Sequence, residues 1–183
     1  TGLLTASQDA RTYFGAIVAE LGGVQTTADL VIMPAAASIL EVTPDPFVVA
    51  AGSTTSVEVT AFDEFGNPFT PEVNWTVSPN AGSINDDGDF EAGSTVGSYT
   101  DGLIARVGVA ELAVEVEITA GPVAHLNIQP TPVTVNANNS IQLTATPVDR
   151  FGNTVSNTSI IWSIEAGGGQ INSNGLFSAF STA

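Results

Sequence analysis

The chain has no cysteine and no lysine, one histidine, one methionine and two tryptophans in 183 residues. Without cysteine there are no disulfides, no thiol catalysis and no thiolate metal sites. Without lysine there is no Lys–Asn isopeptide crosslink. The only bases are Arg11, Arg106 and Arg150, against 19 Asp and Glu. No basic patch exists to displace counterions, which excludes nucleic acid and anionic membranes as partners. No apolar run reaches the roughly 20 residues that span a bilayer. No signal peptide is visible, and Thr1 reads as the start of a mature or excised segment. Histidine chemistry is equally thin. His125 lies in the alternating run His125-Leu126-Asn127-Ile128, where Leu126 and Ile128 point inward and His125 outward, a solvated strand residue. No nucleophile elbow, phosphate-binding loop or zinc-protease motif is present, so the chain is not read as an enzyme.

What is present is repetition. Asp63-Glu64-Phe65-Gly66-Asn67 returns 86 residues later as Asp149-Arg150-Phe151-Gly152-Asn153. Trp75 returns 87 later as Trp162. Gly2-Leu3-Leu4-Thr5-Ala6 returns as Gly88-Asp89-Phe90-Glu91-Ala92 and as Gly175-Leu176-Phe177-Ser178-Ala179. A fixed period has to be settled before the fold, because each period is one structural unit. The chain thus divides into residues 1–34, the last strands of an incomplete repeat; 35–120, a complete repeat; and 121–183, the first strands of a third.

Within each period the segments are short, rich in Val, Ile and Thr, and alternate with period two, which predicts half-buried strands. Val57, Val59 and Ala61 face a core, as do Val73, Trp75 and Val77, with Ile160, Trp162 and Ile164 repeating the latter. Val114, Val116 and Ile118 point in while Glu115 and Glu117 point out. Ala10–Leu21 matches Thr100–Val107 and reads as a strand despite a faint helical pattern. Phe65-Gly66-Asn67-Pro68, Asn85-Asp86-Asp87-Gly88 and Asn172-Ser173-Asn174-Gly175 supply turns. Thr43-Pro44-Asp45-Pro46 and Gln129-Pro130-Thr131-Pro132 break the first strand, which predicts an edge strand that switches sheets. About seven short strands per repeat, a central Trp and no helix predict an all-β fold of tandem immunoglobulin-like β-sandwiches.

The order of these features resembles the bacterial immunoglobulin-like (BIG) repeats of microbial surface proteins, including intimin- and invasin-type adhesins. The residues that carry the resemblance are Leu126–Pro130, Ile141–Ala145, Asp149–Asn153, Ile161–Ile164 and Gly175–Ala179, with the same series from Leu40 to Ala92. The resemblance implies an extracellular or cell-surface structural protein: a stalk, fibre or surface array. The alternative it implies is an adhesin or carbohydrate-binding module, for which Phe69 and Tyr99 are scattered aromatic candidates.

The phase of the repeat adds an expectation about partners. Residues 1–34 and 121–183 supply complementary strands, so the C-terminal part of one chain could join the N-terminal part of the next and build a head-to-tail homopolymer. A longer covalent array would place adjacent repeats of the same chain there instead. Calcium is the one cofactor expectation. Asn85, Asp86, Asp87 and Asp89 put four oxygen-bearing side chains in five residues, and Asp63 precedes a Phe-Gly-Asn turn. The competing reading is that these residues simply cap their own turns. Asn74, Asn138 and Asn157 open N-x-S/T sequons, each a possible glycan site. Acid is concentrated in residues 36–120, which hold 14 of the 19 carboxylates and one base.

Overall fold

The computed structural model describes residues 3–181; Gly2 of the first Gly-Leu-Leu-Thr-Ala element lies outside them. Among the described residues there is no helix, and so none long and apolar enough to cross a membrane. The chain opens with a hairpin of β1 (Thr12–Leu21) and β2 (Val24–Val31), the strand predicted over Ala10–Leu21 and its mate. Its ladder shifts register between Tyr13 and Ile17, where Gly15 has φ 60°.

The central repeat follows with β3 (Ile39–Thr43), β4 (Phe47–Ala50), β5 (Thr54–Ser56), β6 (Glu58–Phe62), β7 (Pro68–Phe69), β8 (Asn74–Val77), β9 (Gly82–Ile84), β10 (Asp89–Ala92), β11 (Gly97–Val107) and β12 (Ala110–Thr119). One layer is the sheet β4-β12-β11-β8. The other consists of β3-β6-β7 and β5-β10-β9, in which β5 and β6 are one strand interrupted at Val57. The Pro44 and Pro46 break does what the sequence predicts. Before it β3 pairs with β6, and after it β4 pairs in parallel with β12 in the opposite layer.

The alternating residues meet between the layers. Leu40, Val42, Phe47, Val49, Val57, Val59, Ala61, Phe90, Leu103, Ala105, Val116 and Ile118 are all buried there. Phe47 and Phe90 pack edge to face, ring centroids 5.1 Å apart. Trp75 and Phe69 are half-buried against this core.

The third repeat repeats only one layer. Its strands are β13 (His125–Gln129), β14 (Ser140–Gln142), β15 (Thr144–Val148), β16 (Gly169–Ile171) and β17 (Leu176–Ala179), in the pairs β13-β15 and β14-β17-β16. Two expectations are corrected here. The segment Ile160-Ile161-Trp162-Ser163-Ile164 is not a strand. Leu126 and Ile128, expected to point into a core, are 53% and 43% exposed, whereas Leu40 and Val42 at the same places are 8% exposed each. Both differences have one cause. In the central repeat β11 gives β8 its hydrogen bonds and β12 covers β3, and residues 121–181 contain no counterpart of β11 and β12.

Candidate functional site: repeat joints and open faces

The Asp-x-Phe-Gly-Asn turns sit where one repeat meets the next, and their side chains reach across. Asp149 begins the turn after β15 and is 1% exposed. Its Oδ1 accepts the N–H groups of Phe151 and Asn153, both at 2.9 Å. Its Oδ2 accepts Nδ2 of Asn153 at 2.8 Å and the N–H of Gly121, in the linker from the central repeat, at 3.0 Å. Asn153 Nδ2 also donates to the carbonyl of Ser94, in the loop before β11, at 2.8 Å.

The joint between the first hairpin and the central repeat is built the same way. Asp63 accepts from Phe65, Asn67, Asn67 Nδ2 and the linker N–H of Ala35 at 2.8–2.9 Å. Asn67 Nδ2 donates to the carbonyl of Gln8 at 2.7 Å, and the N–H of Ala10 donates to Asn67 Oδ1 at 3.0 Å. Ala35 and Gly121, Gln8 and Ser94, and Asp63 and Asp149 are each one period of 86 residues apart. For both aspartates burial opposes the charge. The amides aimed at the carboxylate, first among them Asn67 or Asn153, outweigh it and lower the pKa from 3.8 to about 2.

The second joint has one addition. Arg150 Nη2 donates to the carbonyl of Gly52 at 2.9 Å, with its guanidinium 4.5 Å over the Phe151 ring. Gly52 has φ +64°, and a Cβ there would strike Arg150 Nη2 and lie 2.5 Å from the Phe151 ring. Gly52→Ala therefore meets two obstacles, a left-handed backbone that costs a residue with a Cβ roughly 1–2 kcal/mol and a collision with the next repeat. Chemical denaturation is expected to show that loss in the central repeat, together with release of the Arg150 contact. Unchanged stability would argue against a tight joint.

Of the other expected site residues, four share one turn and Asp63 lies apart from them. Asn85, Asp86, Asp87 and Asp89 lie in the β9–β10 turn, where Asn85 Oδ1 accepts the N–H of Asp89 at 2.8 Å and Asn85 Nδ2 reaches Asp89 Oδ2 at 3.3 Å. Asn172 closes the β16–β17 turn in the same manner without any aspartate. Asp63 is at the far end of β6 from this turn, roughly 20 Å along the strand, and its carboxylate is occupied by amides. Among the described residues no three His, Cys, Asp or Glu side chains come together as a metal cage. Asn74, Asn138 and Asn157 are all exposed. Phe69 and Tyr99 are packed against the central core, so they form no exposed aromatic platform.

Sequence reasoning missed the reach of the joint. Turn capping was one of two readings for Asp63, but local pattern did not show that Ala35 would donate to Asp63, or Gly121 to Asp149. The repeat of Asn67 at Asn153 was the available signal.

The first hairpin is the counterpart of β11–β12. Both shift register just after a tyrosine, at Tyr13/Ile17 and at Tyr99/Leu103. Both have a positive φ in the shift, Gly15 at 60° and Asp101 at 53°. In both the tyrosine hydroxyl donates to a carbonyl four residues back, Tyr13 to Asp9 at 3.1 Å and Tyr99 to Thr95 at 2.8 Å. This tyrosine corner marks a strand of the immunoglobulin-like sandwich.

The fold is that of immunoglobulin-like repeats. One solved structure shares it. The Escherichia coli adhesin FdeC matches at 20% identity with a TM-score of 0.55, over 90% of this chain and 64% of that one. The surface-layer protein SbsC matches at 27% identity and TM-score 0.41, over 75% of this chain and 19% of that one. Invasin, described as a bacterial integrin-binding protein, matches at 21% identity and TM-score 0.38, over 76% of this chain and 32% of that one. The chain thus spans less than a third of the SbsC and invasin chains. No family model matches the immunoglobulin-like chain, and no curated protein sequence does.

Proposed function

We propose that this chain is a segment of an extracellular or cell-surface structural protein, a stalk, fibre or array built from immunoglobulin-like repeats held at fixed angles. The observation that carries the reading is the joint. The same buried aspartate and the same asparagine tie linker and neighbouring repeat together at both boundaries. A linker that only connected would need none of these bonds. The acidic central repeat supports the same role, since like charge keeps long surface assemblies apart laterally and soluble. The exposed sequons Asn74, Asn138 and Asn157 are where glycans would attach in a source with the machinery. An adhesin is the second reading, supported by the fold likeness to FdeC. The carbohydrate-binding form of it loses its aromatic candidates, which are used in the core.

Antibody labelling of intact cells that make the protein, followed by electron microscopy of the native material, tests the reading. Surface label on regular fibres, rods or lattices is the expected result. Label confined to the cell interior would overturn it.

A further inference from the structure

We infer that the central repeat takes an extended, basic segment of a partner protein as an added strand, in the groove between β3 and the first half of β12. This goes beyond the structural reading and does not rest on it.

The groove follows from the break at Pro44 and Pro46. β12 pairs with β11 from Ala110 to Ile118. On its other edge β4 joins it only from Val116 onward, because the chain before the prolines lies in the opposite layer. The edge of β12 ahead of Val116 therefore has no neighbouring strand. Thr119 shows which peptide groups lie on that edge, since its carbonyl accepts the N–H of Ala51 there at 2.8 Å. Alternation along β12 is unbroken. The same edge therefore carries the N–H and C=O of Ala113 and the N–H of Glu115. Among the described residues none of these three groups has a hydrogen-bond partner. A row of free backbone groups is a template for another strand.

Between this edge and β3 the two layers part into a groove of about 630 Å³. Its floor is apolar, with Leu40 and Val42 from β3 and Leu112 and Val114 from β12. Its rim is acidic, with Glu41, Asp45, Glu115 and Glu117. Among the described residues the ion pairs are Arg11 with Asp9 and Arg106 with Glu111, so the rim has no counter-charge. An added strand would bond Ala113 and Glu115 through its main chain. Alternate side chains would rest on the apolar floor and the others would stand among the carboxylates. Basic side chains at the outward positions complement that rim.

The rim also selects the source of the strand. A second copy presents a central repeat with 14 acids and one base, and like charge opposes that contact. The chain has no lysine and three widely separated arginines, so none of its own segments alternates bases. Neighbouring repeats leave through the ends of the sandwich. The first linker, at Ala35, lies beside Ala110 at the start of β12, and the second, at Gly121, follows its end. The groove opens on the flank between the two, where a separate molecule has access.

The probe is a hexapeptide that alternates lysine and valine. Its control has the same residues as one lysine block and one valine block. Calorimetric titration is expected to show one site for the alternating peptide and clearly weaker binding of the control. Amide NMR signals of Ala113 and Glu115 are expected to move as the site fills. Asp45→Asn combined with Glu117→Gln should weaken binding roughly fivefold, as the loss of two exposed ion pairs. Ala113→Pro removes an outward N–H and no bond to β11, and should abolish binding. The charge variants leave the backbone intact, so they decide the matter even where the proline variant misfolds. Glu72→Gln combined with Glu91→Gln removes two exposed acids that do not line the groove and should leave binding unchanged. Equal affinity for both peptides, equal losses in the two charge variants, or no binding at all would overturn the inference. So would self-association of the chain that Ala113→Pro abolishes, which would give the groove to a second copy. None of these outcomes alters surface labelling of the native protein, so the two readings fail separately.

Discussion

Truncating Phe90 to alanine is expected to cost the central repeat about 3–5 kcal/mol. Phe90 is fully buried at the centre of the core and stacks edge-on against Phe47. Its loss removes the transfer energy of a ring, leaves a cavity between two sheets that cannot close on it, and breaks an aromatic pair. Small domains hold only roughly 5–15 kcal/mol in total, so much or all of the stability of the repeat is at stake. Urea denaturation followed by Trp75 fluorescence measures it. Phe177 occupies the same place in the third repeat but is only half-buried. Phe177→Ala should cost clearly less. Equal losses at both sites would contradict the difference in burial.

Replacing Asp149 by alanine is expected to uncouple the third repeat from the central one. Four N–H donors lose their acceptor at once, including the linker N–H of Gly121. Asn153 loses the partner that aims its amide at Ser94. Residual dipolar couplings should report one alignment frame for the two repeats in the native chain and two frames in the variant. The pH dependence follows from the depressed carboxyl. A folded-state pKa of about 2 against an ordinary 3.8 means that the contribution is fully present above 3.8 and disappears as pH falls toward 2. Asp63 titrates in the same window. Asp149→Ala should therefore flatten the acid limb of the stability curve only in part. A curve identical to that of the native chain below pH 4 would remove Asp149 from the joint.

The fold was legible because its signals are local. Alternation at Val57, Val59 and Ala61 placed a strand, and the two prolines after Thr43 placed a sheet switch, both from neighbours in sequence. Trp162 shows the limit. Ile160 and Ile164 flank it as Val73 and Val77 flank Trp75. Yet only Trp75 lies in a strand, because a strand needs hydrogen-bond partners supplied by another segment. Leu126 and Ile128 were misjudged for the same reason: alternation says which way a side chain points, not whether anything covers it. The aspartates of the joints illustrate the converse. Local pattern offered Asp63 a role in its own turn, which is half of what it and Asp149 do. The other half comes from backbone amides 28 residues earlier, which carry no side-chain signature.

The parallel pairing of β4 with β12 has a consequence for a protein under load. A chain entering the central repeat before β3 and leaving it after β12 emerges at opposite ends of two strands that lie side by side. Tension along the chain would slide β4 against β12 lengthwise. All hydrogen bonds between Phe47–Ala50 and Val116–Thr119 would then have to yield together and could not peel one at a time. The central repeat is thereby arranged to resist pulling along the chain.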